Sequence, residues 1–329
     1  MRYFKLFANC IPVKGAKVSV MCDLQRNSYT YIPNFMQEVL VSEIKHPLHL
    51  IQERYPNEYS AIFDYLEFFI AEEFGFWTEE PERFPALKFD MEVPYLISNC
   101  TLDINSNSRH NYASIMGQLD QLGCPFLEVR IFDPMGLSFL KSMLESTDGK
   151  RIRNVEIFIK YDESLMNLSD ILELMHFHQV LGSIVIFGAP EKEHHKQIQQ
   201  TIDYTTEEIT GAECCGNISR EYFAINTEIF TEAVRFNSCL NRKISIDVNG
   251  QIKNCPSMTE SYGSIENNSL YAIAITKPFQ KIWSVTKDEI KVCRDCQFRY
   301  ICTDCRAFVE DVHDKPFKCN YDPYTHTWN

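Results

Sequence analysis

The chain has 329 residues, of which 45% are hydrophobic and 23% are charged, and its formal net charge at pH 7 is −13. This length allows one large domain or two to three small ones, and the composition is ordinary for a globular protein. The acidic balance argues against a nucleic-acid binder, which would normally present a basic face. The sequence shows no apolar run of about 18 residues and no secretory signal, so we expect a cytoplasmic protein without a membrane span.

The first part of the chain has the pattern of a small module in which a hairpin precedes helices. Two strand-like runs and two helical patterns follow one another, at residues 18–24, 29–32, 33–40 and 59–74. The acidic, proline-bearing stretch at 78–85 is typical of a linker. The sequence therefore predicts a winged-helix-like module over residues 1–90.

Strands and helices alternate in the middle of the chain. The predicted elements are four strands and three helices, at residues 95–97, 110–122, 126–132, 137–144, 155–161, 168–177 and 183–187. Such units build a parallel sheet, and half of an eight-stranded barrel is visible. We therefore expect an α/β fold with an open, partial (β/α) barrel over residues 91–235. Asp103, Asp133 and Glu156 fall at or near its strands, where barrel enzymes place functional groups.

The remaining segment, residues 236–329, combines a hairpin signal with seven of the chain's 13 cysteines. Alternating apolar residues flank Asn249-Gly250, the strongest short-range hairpin signal. Cys239 precedes the hairpin and Cys255 follows it, so we expect the fold to bring these two thiols near each other. The other five cysteines lie downstream, at Cys293, Cys296, Cys302, Cys305 and Cys319.

Thiolates separated by two and five residues can converge on a soft metal, because short turns aim successive sulfurs inward. Thiols stay reduced in the cytoplasm, so clustered cysteines there indicate metal binding rather than disulfides. Seven sulfurs are too many for one site, which predicts two metal centres and favours iron–sulfur clusters. Two zinc sites are the alternative, with His313 available to complete a ligand set.

The cysteine array resembles the SPASM domain, the auxiliary-cluster module of many radical-SAM peptide maturases. As in that domain, a first cysteine is followed by Gly-x4-Cys, then by Cys-x2-Cys-x5-Cys, and then by two further cysteines. The one difference is that two residues, rather than three, separate Cys302 from Cys305. The resemblance implies two [4Fe–4S] clusters that share ligands along the chain, as in ferredoxins. It assigns Cys239, Cys255 and Cys305 to the first cluster, and to the second it assigns Cys293, Cys296, Cys302 and Cys319.

The implied first cluster has three ligands. Cys214 or Cys215 is a candidate for the fourth, or the position stays open to bind substrate. The alternative for this adjacent pair is that one of the two is a buried core thiol.

A radical-SAM enzyme also needs Cys-x3-Cys-x2-Cys after its first barrel strand. The sequence after residues 95–98 offers only Cys100 there, and the motif occurs nowhere else in the chain. One thiolate cannot hold three irons of a cubane. Reductive cleavage of S-adenosylmethionine by the usual route is therefore not expected.

Nearly the full length of the chain resembles the SPASM-domain peptide maturases of grasp-with-spasm systems. The residues that support this resemblance lie at 9–15, 23–27, 214–216, 237–247 and 252–256. That family also lacks the first cluster motif, and it works with an ATP-grasp ligase and a short ribosomal precursor peptide. The resemblance implies both partners here. Residues 1–90 also resemble a leader-peptide recognition element, which binds its peptide as an added strand; a plain packing domain is the alternative.

Together these features predict a two-cluster iron–sulfur protein that acts on a precursor peptide or presents it. The clusters could bind a peptide side chain, transfer electrons or staple a small cysteine-rich domain. Whether the chain is an enzyme stays open, although a conventional radical-SAM enzyme is not expected. A non-catalytic adaptor that delivers the leader peptide to the ligase and a zinc-stapled scaffold are the alternatives.

Overall fold

The structure, a computed structural model, describes residues 1–90, 92–162 and 167–329. The predicted domain boundary at residue 91 lies outside these residues. The strands within them are β1 (Tyr3–Leu6), β2 (Cys10–Val13), β3 (Ser19–Asp23), β4 (Ser28–Ile32), β5 (Gly75–Thr78), β6 (Asn99–Ile104), β7 (Phe126–Ile131), β8 (Asn154–Lys160), β9 (Leu181–Phe187), β10 (Glu193–Lys196), β11 (Thr201–Thr205), β12 (Lys243–Ile246), β13 (Ile252–Lys253), β14 (Tyr321–Asp322) and β15 (Thr327–Trp328). The α-helices are α1 (Asn34–Glu38), α2 (Leu48–Arg54), α3 (Tyr59–Ala71), α4 (Tyr112–Gln121), α5 (Leu137–Glu145), α6 (Leu168–Phe177), α7 (Thr227–Arg235), α8 (Leu270–Ala274) and α9 (Lys277–Gln280).

The chain divides into two compact units, each assembled from separated stretches of sequence. The first unit consists of Met1–Glu92, Asn217–Ser238 and Val285–Asn329, and the second of Val93–Gly216 and Cys239–Ser284. The three consecutive domains expected from the sequence, residues 1–90, 91–235 and 236–329, stay a prediction.

The second unit is built on an eight-stranded sheet in the order β10-β11-β9-β8-β7-β6-β12-β13. Neighbouring strands from β11 through β12 are parallel, and the two edge strands are antiparallel. The strands β6 to β9 lie side by side in chain order, so the predicted α/β class with a parallel sheet is confirmed.

The two faces of this sheet differ because side chains alternate along each strand. Leu102, Val129, Ile157 and Ile184 lie in register across four strands and are buried in one apolar core. Apolar residues of α4, α5 and α6 belong to that same core. The opposite face is polar, and it carries the charged residues whose contacts are described below.

The first unit contains the small β module expected at the start of the chain. The ribbon β1–β5 and the three-stranded sheet β2-β3-β4 are antiparallel, and the predicted β3–β4 hairpin is confirmed. The helical spacing of Ile62, Leu66 and Phe69 on α3 buries these side chains in a core with Phe4. The helical pattern predicted to reach residue 74 ends at Ala71, and Gly75 begins β5.

Two stretches differ from their sequence predictions. The first strand of the parallel sheet begins at Asn99 rather than at residues 95–97. The strands β10 and β11 lie in a stretch for which no element was predicted, because β11 pairs with β9 and provides an edge to which β10 adds. No helix within the described residues is long and apolar enough to cross a membrane.

Candidate metal centres

Four cysteines of the first unit line one small cavity. They are Cys293, Cys296, Cys302 and Cys319, and the wall also includes Ile218, Lys287, Val292, Arg299, Lys315, Pro316, Tyr321 and Pro323. These are the four thiols that the resemblance assigned to the second cluster. Their role as ligands stays a prediction.

Tight turns place these cysteines, as their close spacing in the sequence suggested. The Cys296 amide donates to the Cys293 carbonyl at 3.0 Å, and the Cys302 amide donates to the Phe298 carbonyl at 3.0 Å. Cys319 lies further along the chain and forms a parallel β-bridge with Ile218. Short turns therefore present three of the thiols, and a β-bridge supplies the fourth.

The backbone is strained immediately before the first of these cysteines. Val292 has φ +67° and ψ −46°, and the Cys293 amide donates to the Lys291 carbonyl at 2.8 Å. This is the geometry of a γ-turn of the rare, strained form, which a β-branched residue seldom adopts. Such strain persists where the surroundings enforce it, and it is often found at functional sites.

Burial sets the acidity of the thiols around this cavity. It raises the pKa of Cys293 to about 12 and that of Cys302 to about 11, although Lys287 acts in the opposite direction on both. Burial also raises the pKa of Cys296, and the neighbouring thiols Cys302, Cys293 and Cys319 raise this pKa further. Because thiolates are the metal-binding form, a metal that binds here must displace protons.

Lys287 lies within this group of thiols and is only 4% exposed. Its ammonium donates a hydrogen bond to the backbone carbonyl of Cys302. Burial acts to lower the pKa of Lys287, but negative charge on Cys302, Asp304, Cys293 and Cys296 raises it overall, the cysteines acting as thiolates.

Asp304 has partners of its own in the first unit. It accepts from Asn237 Nδ2 at 2.9 Å, and its Oδ1 lies 2.9 Å from Arg306 Nε without the alignment of a hydrogen bond. The Asp304 carboxylate is therefore held by two other side chains beside the thiol cavity.

The second unit contains a second group of thiols around a lysine. Lys243 begins β12, and Cys255 follows β13, the strand that pairs with β12 through Ser245–Lys253 and Ile246–Ile252. Burial acts to lower the pKa of Lys243, but Cys239, Glu128, Cys255 and Cys215 raise it overall. Cys239, Cys255 and Cys215 thus share the surroundings of one ammonium group.

The hairpin between these thiols depends on the turn that the sequence indicated. Gly250 has φ +76°, a conformation that favours glycine, and the Asp247 carboxylate accepts from the amides of Asn249 and Gln251, each at 2.9 Å. A Cβ at position 250 would also lie 3.3 Å from Ile265 Cγ2. The predicted hairpin is confirmed, and the fixed glycine of the cysteine pattern has a structural cause.

The adjacent thiols Cys214 and Cys215 have different surroundings. Burial acts to raise the pKa of Cys214, but hydrogen bonds from Thr210 and the Gly211 backbone lower it overall, and the Thr210 hydroxyl is 3.6 Å from its sulfur. The charge of a Cys215 thiolate would instead act on Lys243 and Arg130 and raise their pKa values. The Ser257 hydroxyl donates to the Ala212 carbonyl at 2.7 Å, which ties this segment to the loop after Cys255.

Cys100 is a core thiol. It lies fully buried within β6, in the apolar core that also contains Cys124, and burial raises its pKa well above the usual value. The loop that follows the first parallel strand is therefore residues 105–111, and it contains no cysteine. The three-cysteine motif that a radical-SAM enzyme carries after its first barrel strand would lie in that loop.

The three carboxylates predicted at or near strands do not share one site. Asp103 and Asp133 line a cavity at the carboxyl ends of β6, β7 and β12, together with Glu213 and Asp247. Glu156 does not line it, and burial and the nearby Glu128 raise the pKa of Glu156. Asp103 is neutralised by a buried ion pair with Arg130.

Two further candidates lie in the first unit. Cys305 is buried and His313 is exposed.

No disulfide joins any of the 13 cysteines, all of which belong to the described part of the chain. Across residues 1–90, 92–162 and 167–329, no three His, Cys, Asp or Glu side chains lie close enough together to hold a single metal ion.

Comparison with known proteins gives only weak structural similarity. No family model matches the chain, and no curated protein matches it. Streptococcus suis SuiB bound to S-adenosylmethionine aligns with a TM-score of 0.32 and 9% identity, over 96% of this chain and 99% of that one. SuiB alone and SuiB bound to precursor peptide SuiA each align with a TM-score of 0.34 and 9% identity, over 95% of this chain and 98% of the other. TM-scores of this size do not establish a common fold or function.

Proposed function

We propose that the protein is an iron–sulfur protein that takes part in the maturation of a ribosomally made peptide. The observation that carries the proposal is the convergence of Cys293, Cys296, Cys302 and Cys319, with the buried Lys287, on one cavity. Four cysteine thiolates are the usual ligand set of a [4Fe–4S] cluster, which when bound supplies electron transfer or a Lewis-acidic iron.

The charges around the cavity agree with such a ligand. A buried ammonium is costly unless negative charge compensates it, and protonated thiols supply none. Metal binding deprotonates the thiols and so provides that charge. A four-iron cluster is also larger than a single ion and holds its thiolates at separate corners, so the thiols need not lie in mutual contact.

A second cluster is proposed for the thiols of the second unit. Charge on Cys239, Cys255 and Cys215 would act on Lys243 and raise its pKa, as charge on the first group of thiols would act on Lys287. We assign Cys215 rather than Cys214 as the additional ligand, because Cys214 is engaged by Thr210. Cys305 belongs to the first unit, and its assignment stays a prediction from the sequence resemblance.

The peptide-maturation role depends on the resemblance of the sequence to grasp-with-spasm maturases. The sequential parallel order β6-β7-β8-β9 supports the finer proposal of a partial (β/α) barrel, because barrel strands neighbour each other in chain order. A winged-helix-like leader-binding module, a precursor peptide and an ATP-grasp ligase complete this proposal.

Metal analysis of anaerobically purified protein tests the cluster assignment. We expect a brown protein with about eight irons per chain if both centres are [4Fe–4S] clusters. Cys296→Ala should lose about half of the iron, whereas Cys124→Ala, which removes a buried thiol of the apolar core, should lose none. A colourless wild-type protein that carries two zincs would contradict the proposal and favour the zinc-stapled scaffold.

The cysteine-free loop after β6 favours a second candidate, a non-catalytic adaptor that presents the leader peptide to the ligase. Incubation of the precursor peptide with the loaded protein separates the two roles. A change of peptide mass without the ligase supports a catalytic role. Tight binding with an unchanged mass, and modification only when the ligase is added, supports the adaptor.

A further inference from the structure

The first unit buries one cation beside the proposed thiol ligands without giving it an ion pair. Lys287 is 4% exposed, and among the described residues no carboxylate oxygen lies within 4.0 Å of its ammonium nitrogen. Its hydrogen bond goes to a neutral acceptor, the Cys302 carbonyl. The nearby Asp304 is held by Asn237 and Arg306.

The backbone around Lys287 directs this side chain inward. Lys287 lies between the buried residues Val285 and Ile290, and the Ile290 amide donates to the Lys287 carbonyl at 3.3 Å. The turn therefore places a lysine where a surface loop would normally expose one. A lysine that was merely tolerated could extend its long side chain to water instead.

The other cations of the cavity wall have different roles. The Arg299 guanidinium forms an ion pair with Asp288 at 2.9 Å and donates to the Cys296 carbonyl at 3.0 Å. Lys315 is partly exposed to solvent. Lys287 is thus the wall cation that is both buried and without a carboxylate partner.

We propose that Lys287 is a positioning residue for the metal centre of Cys293, Cys296, Cys302 and Cys319, and that its charge raises the reduction potential of that centre. This inference rests on the proposed function. The hydrogen bond from Lys287 holds the Cys302 backbone so that the Cys302 thiol faces the cavity. Its positive charge favours the reduced state, which carries one more negative charge than the oxidised state, and the low dielectric of the site strengthens the effect.

A redox titration of the loaded full-length protein tests the inference, with dithionite and mediator dyes as the source of the single electron. The signal of this centre is identified as the one that Cys296→Ala removes. We expect Lys287→Met to shift its potential to more negative values and Lys287→Arg to return it towards the wild-type value. The matched control is Lys291→Met, since Lys291 is exposed and paired with Asp314 at 2.9 Å, and it should cause no shift.

The outcomes separate this inference from the function on which it rests. A wild-type protein without iron overturns both. A wild-type protein with iron, and a Lys287→Met variant with the same iron content and the same potential, overturns the role of Lys287 alone. If Lys287→Met fails to retain iron, Lys287→Gln decides, because an amide can still donate to the Cys302 carbonyl but carries no charge. Iron retained at a lowered potential supports the inference, and iron retained at the wild-type potential overturns it.

Discussion

Asp103 and Arg130 form a two-point ion pair across the adjacent strands β6 and β7. Arg130 Nε donates to Asp103 Oδ1 at 2.7 Å and Nη2 donates to Oδ2 at 2.8 Å, and both side chains are buried. The parallel register places the two residues directly opposite each other. Burial raises the pKa of Asp103, although Arg130 opposes the shift. The pair therefore holds two charges on the polar face of the sheet at a considerable desolvation cost.

Removal of one member of this pair should destabilise the second unit strongly. Arg130→Met leaves the Asp103 carboxylate buried without its cation, so we expect the free energy of unfolding to fall by about 3–5 kcal/mol. The double variant Asp103→Asn with Arg130→Met should recover part of the loss. Urea denaturation measures the effect, with Lys14→Met at an exposed ion pair as control, where a change of at most about 1 kcal/mol is expected. Equal losses at both pairs would contradict the prediction.

Cys215 and Cys214 should respond differently to replacement. Cys215 shares the surroundings of Lys243 with Cys239 and Cys255, whereas the sulfur of Cys214 is engaged by Thr210. Cys215→Ala should therefore lower the iron content, by as much as the four irons of one cluster, and Cys214→Ala should leave it unchanged. Iron analysis of the two variants, purified side by side without oxygen, checks this. Full iron content in both variants would show that this centre has no ligand from the pair.

The strained turn at Val292 gives a stability prediction of unusual sign. A residue held in this conformation costs on the order of 1–3 kcal/mol, and glycine relieves most of that cost. Val292→Gly should therefore be more stable to denaturation than Val292→Ala, although glycine normally destabilises relative to alanine. Both variants lose the valine side chain, so their difference isolates the backbone. An alanine variant as stable as the glycine variant would show that the turn stores no strain.

The buried thiol of Cys22 should make stability fall at alkaline pH. Burial raises its pKa from 9.0 to about 12, with Arg299 acting against the shift. A raised pKa in the folded state means that the thiol contributes stability fully below about pH 9, and that this contribution is lost as the pH rises towards 12. In that window the unfolded thiol releases its proton while the folded one keeps it, which removes about 1.4 kcal/mol per pH unit.

Denaturation midpoints between pH 9 and 11 test this dependence. Cys22→Ala should lower stability at neutral pH but flatten the alkaline decline relative to the wild type. Thr30→Ala, on the neighbouring strand β4, is the control and should shift stability without changing its slope. Parallel slopes for all three proteins would show that Cys22 does not titrate in this way.

Locally encoded elements were predictable from the sequence. The helix predicted at residues 168–177 is α6 at both ends, because its apolar periodicity is strong and Asn167 caps it by accepting from the Asp170 amide at 3.0 Å. The Asn249-Gly250 hairpin was predictable for a similar reason, since the turn residues themselves determine the local backbone. The start of β6 and the strands β10 and β11 were not, because their pairing depends on neighbours distant in the chain.

The buried Lys287 and the half-buried Lys243, one beside each group of thiols, were also missed. No local pattern distinguishes Lys287 or Lys243 from the many lysines that face solvent, because only the packed surroundings determine whether an ammonium is buried. Likewise, the adjacency of Cys214 and Cys215 left the choice between them open, and the contacts of Thr210, Arg130 and Lys243 distinguish them.

By itself the sequence determined the parallel α/β class and the spacing of the cysteines, because strand periodicity and short turns are local properties of the chain. The resemblance grouped Cys319 with Cys293, Cys296 and Cys302, but only the tertiary structure decided how Cys319 reaches their cavity, through the bridge to Ile218 about a hundred residues earlier. The tertiary structure also decided that a buried, positively charged lysine lies among these thiols. Both facts come from long-range packing, and they determine which charges a bound metal group would meet.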